Sequence, residues 1–339
     1  MNLIDVNAKL QTEDQCLDFI ENVRWPDGKI RCVRCGTDKV SRITRKVNPE
    51  LSRDEKKQNK RTRLYACLEP TCKHRFTPTV GTLFHDSHLP LTKWFYAVAL
   101  IVHAKKGMSA MQVQRHLGVN YRTAWYMGHR IRKAMASGAI IDVPNGSGGM
   151  QIYPLPIKRK LSGTVEVDET YIGGKTIRKK DRGNQKSQSK AAVVGMVERG
   201  GQLRLRHVGT GNVSTDQVAP LIRELVDPRV HQIVTDESSI YPFALTGPFT
   251  HKHATIRHKS EYVRWERGEC ITTNTIESAF SLLKRGVTGS FHRISHKHLH
   301  RYLSEFEFRF NGRKMPNLLG ATVEKMVATR EMKYRDLIS

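Results

Sequence analysis

A chain of 339 residues with 57 Lys and Arg against 32 Asp and Glu carries a formal charge of +25 and has room for two or three domains of roughly 100–200 residues each. Its 38% hydrophobic and 26% charged content excludes collagen-like, mucin-like and wholly disordered chains, and its longest apolar stretch, Phe95 to Val102, is too short to span a bilayer. The charge points to a polyanionic partner, because it attracts nucleic acid and releases counterions on contact, but it does not say which polyanion. The N-terminus, MNLIDVNAKLQTEDQ, is polar and acidic rather than basic and then apolar. It does not read as a secretory signal, and a soluble cytoplasmic protein is expected.

Four of the six cysteines form two close pairs, Cys32-x2-Cys35 and Cys67-x4-Cys72. Each pair can straddle a tight turn and supply two corners of a tetrahedron, so the spacing predicts one structural Zn2+ on Cys32, Cys35, Cys67 and Cys72. Cys16 and Cys270 read as ordinary thiols. Between the pairs, residues 41–63 form a polar insertion read as a long loop. A short β-like stretch, Phe76 to Phe84, follows.

Pro90 and Thr92 open a helical pattern with Trp94, Phe95, Val98, Ile101 and Val102 at helical spacing, ending near Gly107. A second helix, Ser109 to Leu117, buries Met111 and Val113, Gly118 makes the turn, and Tyr121 to Met135 forms a basic third helix. This order is the helix-turn-helix pattern, with Tyr121, Arg122, Thr123 and Tyr126 predicted to face base edges and Arg130 placed among the DNA contacts. Residues 136–162 hold four Gly and three Pro with no sustained period, and read as a linker.

Beyond it strands and helices alternate. Thr164 to Tyr171 has period two, with Val165 and Val167 on one face and Glu166, Asp168 and Thr170 on the other. Ala191 to Val197 and Leu203 to Val208 read as a hairpin across Arg199-Gly-Gly201, Ser214 caps a helix ending near Val226, and His231 to Asp236 is a buried strand ending on an acid. Three strands, a helix, a strand and a later helix is the order of a ribonuclease-H-like fold, although α/β order is widely shared. In Thr273 to Arg285, Ile276, Ala279, Phe280 and Leu283 make an apolar stripe, while Asn274, Glu277, Ser281 and Lys284 line a neighbouring one. Asp168, Asp236 and Glu277 suit metal-dependent phosphoryl transfer, in which acids hold divalent ions and a lysine grips phosphate.

Four stretches carry a family resemblance: Arg31-Cys-Val-Arg-Cys-Gly36 with Cys67 and Cys72; Gly163-Thr-Val-Glu-Val-Asp-Glu-Thr-Tyr-Ile-Gly-Gly-Lys175; Val234-Thr-Asp-Glu237; and Thr273-Asn-Thr-Ile-Glu-Ser278 continuing through Lys284-Arg-Gly286 to Arg301-Tyr302. The chain resembles DDE-type transposases of bacterial insertion sequences, of the ISXO-like group that joins a zinc ribbon to an integrase-like catalytic domain. The resemblance implies that Asp168 and Asp236 are the first two catalytic acids and that two Mg2+ (or Mn2+) ions serve each site. The third position falls on Glu277, since only a carboxylate brings charge and Lys284 follows seven residues later. Asn274, one turn earlier, would orient a ligand or water and stays the alternative ligand.

The expected organisation is an α/β protein with an N-terminal helical segment (1–25), a zinc ribbon (26–88), a helix-turn-helix region (89–138), a linker (139–162), a ribonuclease-H-like (retroviral-integrase-like) domain (163–315) and a C-terminal tail (316–339). The implied reaction is hydrolysis at element ends to free 3′-hydroxyls, then their attack on target DNA. The implied partners are terminal inverted repeats, target DNA and further copies of the chain in a synaptic complex, in a bacterial, nucleoid-associated setting without membrane contact. Two basic runs, 171–190 and 284–314, are read as backbone contacts, including Lys175, Arg178, Lys179, Lys180 and Arg285. Rival readings are an inactive zinc-ribbon/helix-turn-helix regulator and a nuclease of the same fold that does not join strands.

Overall fold

The structure, a computed structural model, describes residues 2–43, 63–136, 159–173, 190–257, 261–266 and 268–338. The chain divides into two units: residues 1–104, 108–155 and 315–339 belong to the first, and 105–107 with 156–314 to the second.

The first unit opens with two helices, α1 (Leu3–Lys9) and α2 (Glu13–Arg24). Both start on capping boxes: Asn2 and Thr12 accept from the third helical N–H, and Asp5 and Gln15 reach back to the cap. An antiparallel sheet follows, β1 (Val40–Ile43), β2 (Leu64–Cys67) and β3 (Arg75–Phe76), with Val40 opposite Cys67 and Tyr65 opposite Phe76. Trp25, Tyr65 and Phe76 pack on one another over it. Of the β-like stretch expected through Phe84, only Phe76 is in a strand. Residues 79–86 turn instead, and Leu83 and Phe84 are buried.

Three helices then form the centre of this unit: α3 (Leu91–His103), α4 (Ala110–Leu117) and α5 (Tyr121–Met135). The apolar stripe predicted for α3, Trp94, Phe95, Val98, Ile101 and Val102, is buried. Ser109 caps α4 in a box with Gln112, and Gly118 ends it in the left-handed region (φ 58°), where a Cβ would clash with the backbone. Asn120 then caps α5 through the Thr123 N–H at 2.8 Å. Val113 is buried as expected, but Met111 is 47% exposed.

The residues read as a C-terminal tail are a packed helix. In α10 (Leu318–Ala328), Leu318, Leu319, Val323 and Met326 are buried, and the helix lies against α2, α3 and α5. The next residues continue the attachment, since the Lys133 ammonium donates to the Arg330 and Glu331 carbonyls at 3.0 Å. A short helix, α11 (Arg335–Ile338), closes the described chain.

In the second unit, β4 (Thr164–Ile172), β5 (Ala191–Glu198), β6 (Leu203–Thr210), β7 (Gln232–Thr235) and β8 (His253–Thr255) form one mixed sheet in the order β6-β5-β4-β7-β8. The pairs β4–β5 and β5–β6 are antiparallel, and β4–β7 and β7–β8 are parallel. Helices cover both faces. Under one, α6 (Thr215–Leu225) and α7 (Ile240–Ala244) supply Val218, Ile222 and Tyr241 to a core with Val165, Val167, Val194 and Ile233. Over the other, α8 (Asn274–Gly286) and α9 (His296–Asn311) place Ile276, Phe280, Leu283, Leu303 and Phe306 on Ile172, Val193 and Leu205. A sheet buried on both sides explains why β5, Ala-Ala-Val-Val-Gly-Met-Val, is apolar without alternation. A hairpin of β9 (Arg264–Glu266) and β10 (Glu269–Ile271) leads into α8.

Candidate active site and metal centre

The four paired cysteines converge. Their sulfurs all lie within 4.8 Å of one another, with Cys32 3.8 Å from Cys72 and Cys35 3.6 Å from Cys67. Each pair is held by a turn: Gly36 N–H donates to the Cys32 carbonyl, and Cys72 N–H donates to the Glu69 carbonyl. Desolvation pushes the Cys67 thiol up to about 12, so that without a cation it stays protonated. Four sulfurs at this separation fit a tetrahedral Zn2+, which would hold them as thiolates. Cys16 is buried and stands outside the cluster, as does Cys270.

On α5 the candidate DNA contacts separate into two groups. Tyr121 and Arg122 are exposed at the helix start, with Thr123 half-buried beside them. Tyr126 and Arg130 point into the unit. The Arg130 guanidinium is 6% exposed, donates to the carbonyls of Leu83 (3.1 Å) and His85 (2.9 Å), and lies over the Tyr126 ring. The Tyr126 hydroxyl donates to the Met332 carbonyl. Arg130 is thus built into the unit as a strut, with Nη1 and Nη2 both donating to oxygens inside it.

In the second unit the strand period puts Glu166, Asp168 and Thr170 on the α8 side of the sheet. Asp236 follows the end of β7, next to β4, and Glu277 sits in the first turn of α8. The three acids meet electrostatically at Asp168. Burial, and then the charges of Glu169, Asp236 and Glu277, push its carboxyl up to about 7, against the pull of the Glu169 N–H donating at 2.8 Å. Asp236 is held by the Ser238 N–H at 3.0 Å, and Glu277 accepts from the Thr273 hydroxyl at 3.2 Å. These acids are spread more widely than the cysteines, which are the one group among the described residues whose ligand atoms all lie within 4.8 Å. A buried carboxyl whose ionisation is opposed by neighbouring acids suits a divalent cation. One ladder step along, the buried Thr170 hydroxyl has no hydrogen-bond partner.

Asn274 is exposed at the first position of α8, one turn before Glu277. Lys284 and Arg285 are exposed near the end of the helix, Lys284 about 10 Å beyond Glu277 along the axis at about 1.5 Å per residue. Lys175, Arg178, Lys179 and Lys180 lie outside the described residues. Within the run 284–314, Arg309 is no phosphate contact: it is buried and paired with Glu305 at 3.2 Å.

Sequence reasoning left three neighbours of the acids without a role. Glu166 is fully buried and accepts hydrogen bonds from Arg199, Thr275 and the Ile276 N–H. Tyr241 is also fully buried and donates to Glu169 on the opposite face. Gly195 pairs with Asp168, and a Cβ there would sit 2.6 Å from Phe280 Cζ, so α8 rests directly on the strand backbone. A signal for Glu166 was present: an acid two residues before Asp168 shares its inward face and must find a partner there.

Comparison with known proteins follows the same division. Residues 11–75 match the transposase zinc-ribbon domain, and residues 160–311 match the ISXO2-like transposase domain. The chain is also 25% identical, over 316 residues covering 88% of it and 90% of the relative, to an uncharacterized protein in transposable element ISH50 of Halobacterium salinarum. With a four-cysteine ribbon in one unit and the acids of the matched domain gathered in the other, the chain belongs to the ISXO2-like transposases.

Proposed function

We propose that this transposase cuts and joins DNA at a metal-dependent site formed by Asp168, Asp236 and Glu277. The observation that carries the reading is the effect of Asp236 and Glu277 on Asp168, acids brought by two adjacent strands and a helix far apart in sequence. The strand order β6-β5-β4-β7-β8, three antiparallel strands followed by two parallel ones, supports a ribonuclease-H-like fold for the second unit.

In this reading Asp168, Asp236 and Glu277 hold two divalent ions, Mg2+ or Mn2+, and Asn274 orients a ligand or water. Such ions would lower the pKa of the attacking water or 3′-hydroxyl and stabilise the leaving oxygen. Exposed Lys284 and Arg285 offer charge to backbone phosphates, and Tyr121, Arg122 and Thr123 at the start of α5 are the candidates to read terminal-repeat bases from the major groove. Tyr121, rather than the buried positions of α5, presents aromatic surface to a partner. Synapsis of two ends would call for at least two copies of the chain.

The test uses labelled duplexes carrying the element's terminal inverted repeats, incubated with full-length protein and Mg2+. The expected products are nicked ends with free 3′-hydroxyls and then joined strands, both lost in Asp236→Asn while duplex binding is kept. If the wild type neither nicks nor joins, or if Asp236→Asn equals it, the catalytic reading fails. Nicking without joining would instead favour a nuclease.

A further inference from the structure

Glu166 is a carboxylate with no exposed surface, and a charge in that position must be repaid by its contacts. Its Oε1 accepts from Arg199 Nε at 2.8 Å and from the Thr275 hydroxyl at 2.9 Å, and its Oε2 accepts from the Ile276 N–H at 2.9 Å. Thr275 and Ile276 are the second and third residues of α8, and Thr273 at its N-cap makes no side-chain cap bond. The helix start is therefore capped from the neighbouring strand. A carboxylate there also meets the positive end of the helix dipole. Arg199, from the turn after β5, extends the arrangement: Nη1 donates to the Cys270 carbonyl at 2.5 Å and Nη2 to the Thr272 carbonyl at 2.8 Å. One guanidinium thus grips both the buried carboxylate and the strand that enters α8.

We infer that Glu166 and Arg199 form a positioning clamp that fixes the register of α8 on the sheet, and through it the approach of Glu277 to Asp168 and the affinity of the acid site for a divalent cation. The inference rests on the metal-dependent reading above. Its geometry is short. Glu166 and Asp168 share one face of β4 two residues apart, roughly 6.6 Å along a strand, and Ile276 and Glu277 are consecutive in α8. Two 2.9 Å hydrogen bonds, from the Thr275 hydroxyl and the Ile276 N–H, therefore link the strand that carries one acid to the helix that carries another. Gly195 sets the height of the helix above the sheet, because nothing larger fits under Phe280, and the Glu166 contacts set its position along its axis. Neither clamp residue needs to touch metal or DNA. Groups that orient ligands commonly change metal affinity by about 10–100-fold when altered.

The test is Mn2+ binding to the full-length, zinc-loaded protein without DNA, followed by the electron paramagnetic resonance signal of free Mn2+, for wild type, Asp236→Asn, Glu166→Gln, Arg199→Lys and Thr275→Val. Glu166→Gln keeps the shape but turns an NH2 toward one of the donors. It is expected to fold cooperatively, keep its zinc and its affinity for DNA ends, and bind Mn2+ about tenfold or more weakly. Its DNA nicking should fall at limiting Mn2+ and recover in part as Mn2+ is raised. Arg199→Lys should behave alike, and Thr275→Val, which removes one of the bonds, should fall between it and the wild type. A Glu166→Gln protein with a lowered melting temperature but wild-type Mn2+ affinity would show that Glu166 only supports the fold, and the clamp would be rejected. Should that variant not fold, wild-type Mn2+ affinity in Thr275→Val rejects it equally, and weakened affinity supports it. Failure of the underlying reading is seen without touching the clamp: if Asp236→Asn binds Mn2+ as the wild type does, the acids hold no metal and both proposals fall.

Discussion

At Asp168 the protein buries a carboxyl close to other acids, and the cost appears in its proton affinity, raised from the ordinary 3.8 to about 7 by burial and by the negative charges of Glu169, Asp236 and Glu277. In the metal-free protein the folded state holds this proton more tightly than the unfolded chain does. The acid's ionisation is therefore destabilising: stability is greatest below the unfolded pKa and falls as pH rises through the interval from about 4 to about 7. Asp168→Asn in the presence of chelator should accordingly stabilise the fold at pH 8, by on the order of 1–2 kcal/mol, and raise its melting temperature, with the gain shrinking toward pH 4. Scanning calorimetry at the two pH values checks this, and a variant less stable than wild type at pH 8 would contradict it. Divalent-ion binding should strengthen over the same interval as the site loses its proton. The Cys67 thiol presents a parallel case, since burial pushes it up to about 12. Purified protein should contain about one zinc per chain by elemental analysis, and Cys67→Ser should lose most of it. A Cys67→Ser protein with full zinc would show that the metal sits elsewhere.

Among the elements, α8 and α9 depend on a few buried contacts with the sheet. Gly195→Ala would place a Cβ within 2.6 Å of Phe280 and 2.9 Å of Ile276, and should cost about 1–3 kcal/mol in denaturant unfolding as α8 is lifted. Strand cleavage should fall further than stability, because Glu277 travels with the helix. In α9, Glu307 is 5% exposed, accepts from the Leu205 N–H at 3.0 Å and pairs with Arg206 at 3.4 Å and with the buried Arg204 at 3.9 Å. Glu307→Ala leaves Arg204 buried without its carboxylate and should destabilise the second unit by about 3 kcal/mol, measured by the same unfolding curve. The contrast within α5 has the same origin. Arg122 is free to meet solvent, whereas Arg130, two turns on, braces two carbonyls of the preceding segment.

Across the whole molecule, the chain returns to its first unit after completing the second. The last described helices complete the hydrophobic centre of the N-terminal unit, with Leu319, Val323 and Met326 buried and the Met326 carbonyl accepting from the Leu83 N–H at 3.0 Å. Deleting residues 315–339 should therefore expose the core of the first unit and abolish its cooperative unfolding, rather than trim a dispensable end. A truncated protein that melts like the full chain would contradict this. The charge of +25 also resolves into parts at this scale. Some of it is exposed, as at Arg122, Lys284 and Arg285, and some, at Arg130, Arg204 and Arg309, is consumed inside the protein.

The sequence by itself determined what depends on local period and spacing. The cysteine pairs, the helix boundaries at Ser109, Gly118 and Tyr121, the apolar stripe of α8, the hairpin around Gly200 and the places of Asp168, Asp236 and Glu277 on their elements could all be read directly, because each follows from a few neighbouring residues. Tertiary structure decided which polar groups are consumed by the fold. Glu166 and Asp168 look alike in sequence, two acids on one face of a strand. Only the packing of α8 shows that Glu166 is saturated by Arg199, Thr275 and Ile276, while Asp168 lies beside other acids. The same holds for the C-terminal helices, whose partners are more than 180 residues away, and for Arg130, whose acceptors at Leu83 and His85 no local pattern could name. Burial and the partner of a charged group are properties of contacts distant along the chain, and those exist only once it has folded.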